Sequence, residues 1–184
     1  YKSYFSNFTH LSIASARAGN VIGGGDMKEN RIVPDIIKAL HKNKKLNLRN
    51  PQATRPWQHV LEPLFGYLLL GNRLLEKNIS SKVLPSWNFG PNPHNCKKVF
   101  NIVKLIEKLW NKKKLKLKII KNKSYHESNL LSLNINKANK ELNWHPKLSF
   151  NETIKLTVDW YKNYFSNKSS IEITNKQIEY FLDL

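Results

Sequence analysis

The sequence predicts an α/β protein, and two observations support this fold class. Segments with the alternating apolar pattern of a strand take turns along the chain with segments that repeat apolar residues at helical spacing. The chain has 184 residues, 40% of them hydrophobic and 11% aromatic, so it can bury a core without cross-links. We expect strands of mixed type covered by helices.

The first third of the chain contains a strand, a turn, a helix and two short extended pieces. "LSIASARAGNVI" has β-branched residues and small alanines, which predicts an inner strand packed on both faces. Three glycines follow it, and then "RIVPDIIKALHKN" shows helical spacing with Pro34 in the first turn, where a missing N–H costs little. "KLNLRN" and "RPWQHV" are predicted as short strands.

The remaining elements continue the alternation. Residues 63–77 predict a mostly buried helix, in which Gly71 would mark a close approach between helices. "VLPSWNFGPNP" predicts a buried strand, "KKVFNIVKLIEKLWNK" an amphipathic helix, "KLKLKII" a strand with one wet face, and "LLSLNINKANKELNWHP" a strand followed by a helix. Ser149 and Glu152 have capping-box spacing ahead of a last helix, and residues 166–184 are expected to form a polar tail.

Composition narrows the function classes. The formal charge is +18, but the 31 Lys and Arg residues are spread through almost every segment, which favours a solvated surface over a dedicated nucleic-acid face. Cys96 is the single cysteine and the six histidines lack metal-ligand spacing, so we expect neither a disulfide framework nor a metal site. No apolar run is long enough to span a bilayer, and we expect a cytoplasmic protein without membrane contact.

The triple glycine does not match the phosphate-binding loops. A Walker loop needs Lys and then Ser or Thr after its last Gly, whereas Gly25 is followed by Asp26 and Met27. The dinucleotide spacing G-x-G-x-x-G is also missing, and Asp26 would repel a pyrophosphate beside it. The residue types alone favour a tight turn in which Gly permits positive φ.

A wider set of motifs carries a family resemblance. "RAGNVIGGGD", "RIVPDIIKAL", "RNPQATRPWQHVLEPL", "WNFGP" and "ELNWHPKLSF" resemble, in order and spacing, the C-terminal half of extended short-chain dehydrogenases/reductases that act on nucleotide sugars. Within this family the chain is most similar to the dehydratases that act on CDP-glucose. The resemblance covers residues 1–165 and implies the last strands of a doubly wound Rossmann-type sheet plus the smaller substrate-binding α/β subdomain, with residues 166–184 outside it.

The resemblance implies a dehydration that uses NAD. In this family a hydride leaves C4 of the sugar, water is lost across C5 and C6, and the hydride returns to C6, which would convert CDP-glucose to its 4-keto-6-deoxy derivative. Family members carry a glycine-rich cofactor loop and a Tyr-x-x-x-Lys pair upstream of this region, whereas Tyr1 and Tyr4 lack a lysine four residues later. We therefore assign no catalytic residue here and expect the chain alone to be inactive, as half of a homodimeric parent.

Seven residues receive binding roles from the resemblance. The substrate-binding residues are Asn20, Arg31, Arg55, Asn88, Lys123 and His126. The backbone of Val21 would lie beside the nicotinamide of NAD. Arg55 is the strongest of these assignments, because it matches the family's diphosphate clamp and a guanidinium fork suits phosphate oxygens. Trp57 and His59, in the same motif, are interpreted as structural.

Three alternatives stay open. A nucleotide-sugar 4-epimerase and a dehydratase of the dTDP-glucose type belong to the same superfamily and share most of these motifs. A basic nucleic-acid-binding module is the alternative from another class, although the sequence has no recognition motif for it.

Overall fold

The computed structural model describes residues 12–76, 85–110, 114–120 and 131–184. These ranges contain eight short strands, which are β1 (Ser15–Ala18), β2 (Asn20–Ile22), β3 (Lys45–Leu48), β4 (Thr54–Arg55), β5 (Trp57–His59), β6 (Ser86–Phe89), β7 (Lys97–Lys98) and β8 (Lys116–Ile119). They also contain six α-helices, which are α1 (Ile32–His41), α2 (Leu61–Glu76), α3 (Val99–Leu109), α4 (Asn136–Leu142), α5 (Phe150–Phe165) and α6 (Ser170–Leu182). The α/β class predicted from the sequence is confirmed.

The strands pair two by two. β1 pairs with β6, β2 with β5 and β3 with β8, all parallel, while β4 and β7 are antiparallel. Parallel pairs joined through helices are typical of layered α/β folds. The expected mixture of strand types is therefore present.

The predicted inner strand is in fact two strands that meet at Gly19. The amide of Gly19 donates to the Phe89 carbonyl on β6, and the next amide, Asn20, donates to the Pro56 carbonyl beside β5. A Cβ at Gly19 would lie 2.6 Å from that Pro56 oxygen, so only glycine fits where the chain changes partner. Residues 15–17 of β1 are exposed, so burial on both faces was wrong for this strand within the described part of the chain.

Two apolar clusters form the core. The larger lies between α1, α3 and α5 and includes, among others, Ile36, Ile37, Leu40, Ile102, Ile106, Ile154 and Val158. The smaller lies between β6, α2 and α4 and contains Leu70, Trp87, Phe89, Ile135, Ala138 and Trp144. Burial of these side chains is the main favourable contribution to folding, at roughly 1.5–3 kcal/mol for each large one.

Helix α2 is amphipathic rather than mostly buried. Leu68 is 73% exposed and Leu75 is 87% exposed, so the helix face that carries these two leucines is exposed to solvent in the described structure. The close approach is at Gly66, where a Cβ would lie 2.3 Å from the Phe89 ring, whereas nothing lies within 4 Å of a Cβ at Gly71. The sequence pattern identified the helix but assigned the packing role to the wrong glycine.

Residues 166–184 contain an ordered helix instead of only a polar tail. Helix α6 buries Ile173 and Phe181 against the rest of the chain. The Gln177 side chain donates to the Leu156 carbonyl at 2.7 Å, and Trp160 Nε1 donates to Thr174 Oγ1 at 3.0 Å. The division into residues 1–165 and 166–184 stays a prediction as a domain boundary, but α6 packs on α5.

The predicted capping box is confirmed, and one predicted strand is wrong. The capping box at the start of α5 is present, because Ser149 Oγ accepts from the Glu152 amide and a Glu152 carboxyl oxygen accepts from the Ser149 amide. The strand predicted ahead of α4 is wrong, since residues 131–135 have no regular structure. In the described ranges, no helix has both the length and the apolarity that crossing a membrane requires.

Candidate functional site

One large cavity lies where several predicted site residues converge. Its volume is about 890 Å³, and its walls come from β2, the following glycine turn, the start of α1, and strands β3 and β4. Ligands of parallel α/β sheets bind beyond the carboxyl ends of the strands, and the cavity is lined by all of β2 and by Gly23, which follows its carboxyl end. The volume lies in the range of small-molecule and cofactor sites.

Asn20 and Val21 line the cavity from strand β2. Asn20 pairs with Trp57 and Val21 pairs with Gln58 in the parallel register of β2 and β5, which fixes the direction of both side chains. Val21 is 40% exposed, although it belongs to a strand whose next residue, Ile22, is buried. The exposed valine and the half-buried asparagine thus present an apolar and a polar group side by side at the cavity wall.

Arg31 sits at the start of helix α1, on the cavity wall. It is the N-cap residue, with extended backbone angles, and its own side chain makes no capping hydrogen bond. Its Nη1 donates to Asp26 Oδ2 at 3.0 Å, and this exposed ion pair closes the loop between the glycine turn and α1. The uncapped N-terminus of α1 adds partial positive charge to the same wall, which favours an anion.

Arg55 reaches the cavity from β4. Its backbone pairs with Lys97 of β7, and its Nη1 donates to the Thr54 carbonyl at 3.1 Å. The side chain is half-buried, so its guanidinium is partly desolvated. Charge-assisted hydrogen bonds gain strength in such an environment.

The charge of the cavity wall is strongly positive. Seven basic residues line it against three acidic ones; the basic residues are Arg31, Lys38, Lys42, Lys44, Lys45, Arg49 and Arg55, and the acidic ones are Asp26, Glu29 and Asp35. The acids are partly neutralised locally, since Asp26 pairs with Arg31 and Glu29 lies 4.0 Å from Lys38. The arrangement attracts a small, multiply charged anion.

The three glycines have separate steric causes. A Cβ at Gly24 would lie 2.0 Å from Trp160 Cγ, so the indole of α5 packs directly on the turn. Gly25 has φ of +80°, and a Cβ at Gly23 would lie 2.8 Å from the Val60 side chain. The segment is a tight turn held against α5, as the residue types favoured, and its backbone is shaped by packing.

Three of the predicted site residues are not brought to this cavity by the described structure. Asn88 lies on β6, away from the cavity wall, where its Nδ2 donates to the Asn134 carbonyl at 3.1 Å. Its Oδ1 is buried and has no hydrogen-bond partner among the described residues. Lys123 and His126 lie outside the described residues. The binding roles of all three stay predictions.

Two buried polar side chains, His59 and Glu62, lie at the end of β5 and the start of α2. The His59 side chain is 1% exposed, and burial lowers its pKa to about 4, so it is neutral at physiological pH. Burial also raises the pKa of Glu62 to about 7, although the amides of Leu148 and Lys147 and the Lys147 charge oppose this shift. Trp57 Nε1 donates to the Lys97 carbonyl at 2.9 Å. The bond from Trp57 agrees with its structural interpretation. The Leu61 amide donates to His59 Nδ1 at 3.4 Å, but His59 Nε2 is buried without a hydrogen-bond partner among the described residues, so the interpretation of His59 stays a prediction.

Sequence reasoning missed two contributors to the cavity wall. Arg49 comes directly after β3, and its Nη2 lies 3.4 Å from Asn30 Oδ1. Asp26 was considered only as a group that would repel phosphate, but it is the partner of Arg31. The sequence did contain one signal. Asp26 shortly precedes Arg31 and Arg49 shortly precedes Arg55, so the members of each pair can lie on one surface. In the described part of the chain, no cluster of His, Cys, Asp or Glu could hold a metal ion.

Comparison with known proteins gives a consistent set of relatives. No family model matches the chain. CDP-glucose 4,6-dehydratase of Salmonella typhimurium is 38% identical over 172 residues, which are 94% of this chain and 47% of that protein. The chain therefore spans about half the length of the curated relative it matches.

Solved structures share the fold at low sequence identity. A UDP-glucuronic acid 4-epimerase from Bacillus cereus, solved with UDP-glucuronic acid and NAD, superposes with a TM-score of 0.73 at 19% identity, over 89% of this chain and 49% of that one. A dTDP-glucose 4,6-dehydratase from Bacillus anthracis, solved with NAD, gives a TM-score of 0.69 at 23% identity, over 88% and 48%. Both match over about half of their own chains, as a C-terminal half would. Over most of its length the chain is similar to a nucleotide-sugar dehydratase, and it has the Rossmann-type fold that nucleotide-sugar epimerases and dehydratases share.

Proposed function

We propose that the protein is an NAD-dependent 4,6-dehydratase of a nucleotide sugar, CDP-glucose, and that this chain supplies most of the substrate-binding half. The observation that carries the proposal is the positively charged cavity beyond strand β2, with Asn20, Arg31 and Arg55 on its wall. A nucleotide sugar carries a diphosphate between two neutral polar ends. Basic side chains and an uncapped helix start suit that diphosphate, and an amide suits sugar hydroxyls.

The substrate preference is supported by the relative with the higher sequence identity. The Salmonella protein that is 38% identical is a CDP-glucose 4,6-dehydratase, and the motif around Arg55 is typical of that type. The solved epimerase and the dTDP-glucose dehydratase are only 19% and 23% identical, so they carry the fold and not the substrate. CDP-glucose is therefore the substrate we propose first.

NAD fits this chain along one wall only. Bound NAD supplies the acceptor and donor of the hydride. Val21, the middle residue of β2, is exposed, so a flat apolar ring can pack there, and the sequence contains no glycine-rich dinucleotide loop. The residues of this chain would therefore orient the sugar against the nicotinamide and exclude water.

Turnover tests the proposal directly. The protein, expressed at the full length that its gene encodes, is incubated with NAD and either CDP-glucose, dTDP-glucose or UDP-glucose, and products are identified by mass spectrometry. We expect CDP-glucose to lose one water and the other two sugars to react much more slowly. Conversion of UDP-glucose to UDP-galactose without dehydration would instead favour the epimerase alternative.

The proposal has three other parts. Assembly as a homodimer rests on the family resemblance, whereas a location in the cytoplasm and the absence of a nucleic-acid partner rest on the composition and the spread of charge along the sequence. Strong, salt-dependent binding of oligonucleotides without binding of CDP-glucose would favour the nucleic-acid alternative, because counterion release makes such binding steeply dependent on salt. Sedimentation analysis of the protein tests the dimer.

A further inference from the structure

Asp26 places a carboxylate in the wall of a cavity that suits an anion. Its backbone and side chain are both held in place. Tyr161 on α5 donates its hydroxyl to the Asp26 carbonyl at 2.6 Å, and the Lys28 amide donates to Asp26 Oδ1 at 3.0 Å. Burial, with the nearby Asp26 charge, raises the pKa of Tyr161 to about 12, so this hydroxyl remains a donor. The fixed carboxylate then accepts from Arg31 through its second oxygen, Oδ2, at 3.0 Å.

The contact with Asp26 determines where the Arg31 guanidinium lies. The Arg31 side chain is 58% exposed, so without a partner it would sample many rotamers. A guanidinium has five N–H donors, and the bond to Asp26 engages Nη1. Other donors of the same fork can still face a ligand in the cavity. A ligand that meets an already oriented fork loses less side-chain entropy on binding.

We propose that Asp26 is a positioning residue for diphosphate binding, because it holds the Arg31 fork at the cavity wall. The inference deepens the proposed function and rests on it, since it requires a nucleoside diphosphate group in this cavity. Asp26 does not touch the ligand in this account. It acts through Arg31, and α5 keeps it in place through Tyr161.

The proposal predicts the opposite sign from simple electrostatics. Removal of a negative charge from an anion site should strengthen the binding of an anion. If Asp26 orients Arg31, its neutralisation should weaken binding instead. Glu29 provides the matched control, because it also lines the cavity and lies 4.0 Å from Lys38 rather than beside Arg31.

The test is calorimetric titration of the protein, at the full length that its gene encodes, with CDP and with cytidine. We expect Asp26→Asn to weaken CDP binding about two- to five-fold, the effect of an exposed ion pair. Arg31→Ala should weaken it about ten-fold or more. In the Arg31→Ala background, Asp26→Asn should no longer weaken CDP binding, because only the electrostatic effect of the lost charge remains. Cytidine lacks phosphates and should bind all variants equally, and Glu29→Gln should bind CDP as tightly as the wild type or more tightly.

Each other outcome is also informative. Asp26→Asn that binds CDP as tightly as the wild type, or that weakens cytidine equally, overturns the positioning role. If circular dichroism shows that this variant is unfolded, Asp26→Ser replaces it in the titrations. Serine keeps an acceptor for the Lys28 amide without the charge, and the same results are expected of it. A wild-type protein that binds UDP but not CDP, and loses affinity in Asp26→Asn, keeps the inference and contradicts the CDP preference. A wild-type protein that binds no nucleoside diphosphate overturns both.

Discussion

Glu62 should make a contribution to the stability of the protein that depends on pH and that one substitution removes. Its side chain is 1% exposed, and Oε1 accepts from the amides of Lys147 and Leu148 at 2.9 and 2.7 Å. Oε2 has no hydrogen-bond partner among the described residues. Because burial penalises the carboxylate, the pKa of Glu62 rises from 4.5 to about 7. Between these values the native state binds more protons than the unfolded state, so the free energy of unfolding falls as pH rises.

His59 has the opposite effect over nearly the same pH range. Burial lowers its pKa from 6.5 to about 4, so there the unfolded state binds more protons. Each shift corresponds to about 3 kcal/mol at 1.36 kcal/mol per pKa unit. In the wild type the two contributions offset each other between pH 4.5, the usual pKa of a glutamate, and pH 6.5, the usual pKa of a histidine. Replacement of Glu62 by glutamine therefore exposes the His59 contribution alone.

The assay is urea unfolding, followed by tryptophan fluorescence, at several values from about pH 5 to about pH 8. Glu62→Gln keeps an acceptor for the two amides and has no charge to titrate. The structural cost of the substitution is the same at every pH. The free energy of unfolding of the variant minus that of the wild type should therefore increase by about 3 kcal/mol from the acidic to the alkaline end of this pH range. Glu141→Gln on the exposed face of α4 is the control and should follow the wild type. Parallel profiles for the wild type and Glu62→Gln would refute the reasoning.

Three further substitutions test the glycine turn, helix α2 and the role of Arg55. Gly24→Ala should lower the free energy of unfolding by about 1–3 kcal/mol, because its Cβ would overlap the Trp160 ring. Gly71→Ala should raise it by about 0.5–1 kcal/mol, since that helical site has open space, and shifts of the same sign in urea titrations would contradict this account. Arg55→Ala should weaken the binding of CDP-glucose by about ten-fold or more, measured by calorimetry, with little effect on NAD. Equal losses for both ligands would point to misfolding instead.

The sequence predicted the elements whose own residues determine them. Periodicity located α1 and α3, and the spacing of Ser149 and Glu152 located the start of α5, because these signals depend on neighbouring residues alone. The helix α6 was predicted as a tail, since its stabilising contacts are tertiary. Its burial depends on Phe181 and on the bond from Trp160 to Thr174, which no local pattern records.

The candidate site was predicted in part. Asn20, Arg31 and Arg55 all line one cavity, and family motifs identified them from the sequence. The role of Asp26 could not be predicted, because its sign suggests repulsion until its distance of 3.0 Å from Arg31 is known. The same holds for the buried Glu62, whose partners lie more than eighty residues along the chain.

The path of one hydrogen atom tests the central claim most directly. CDP-glucose labelled with deuterium at C4 is incubated with NAD and the protein at the full length that its gene encodes, and the product is examined by NMR and mass spectrometry. A 4,6-dehydratase moves this hydrogen within the sugar, so we predict a 4-keto-6-deoxy product with deuterium at C6. Deuterium that remains at C4 of an unchanged or epimerised CDP-hexose would contradict the account.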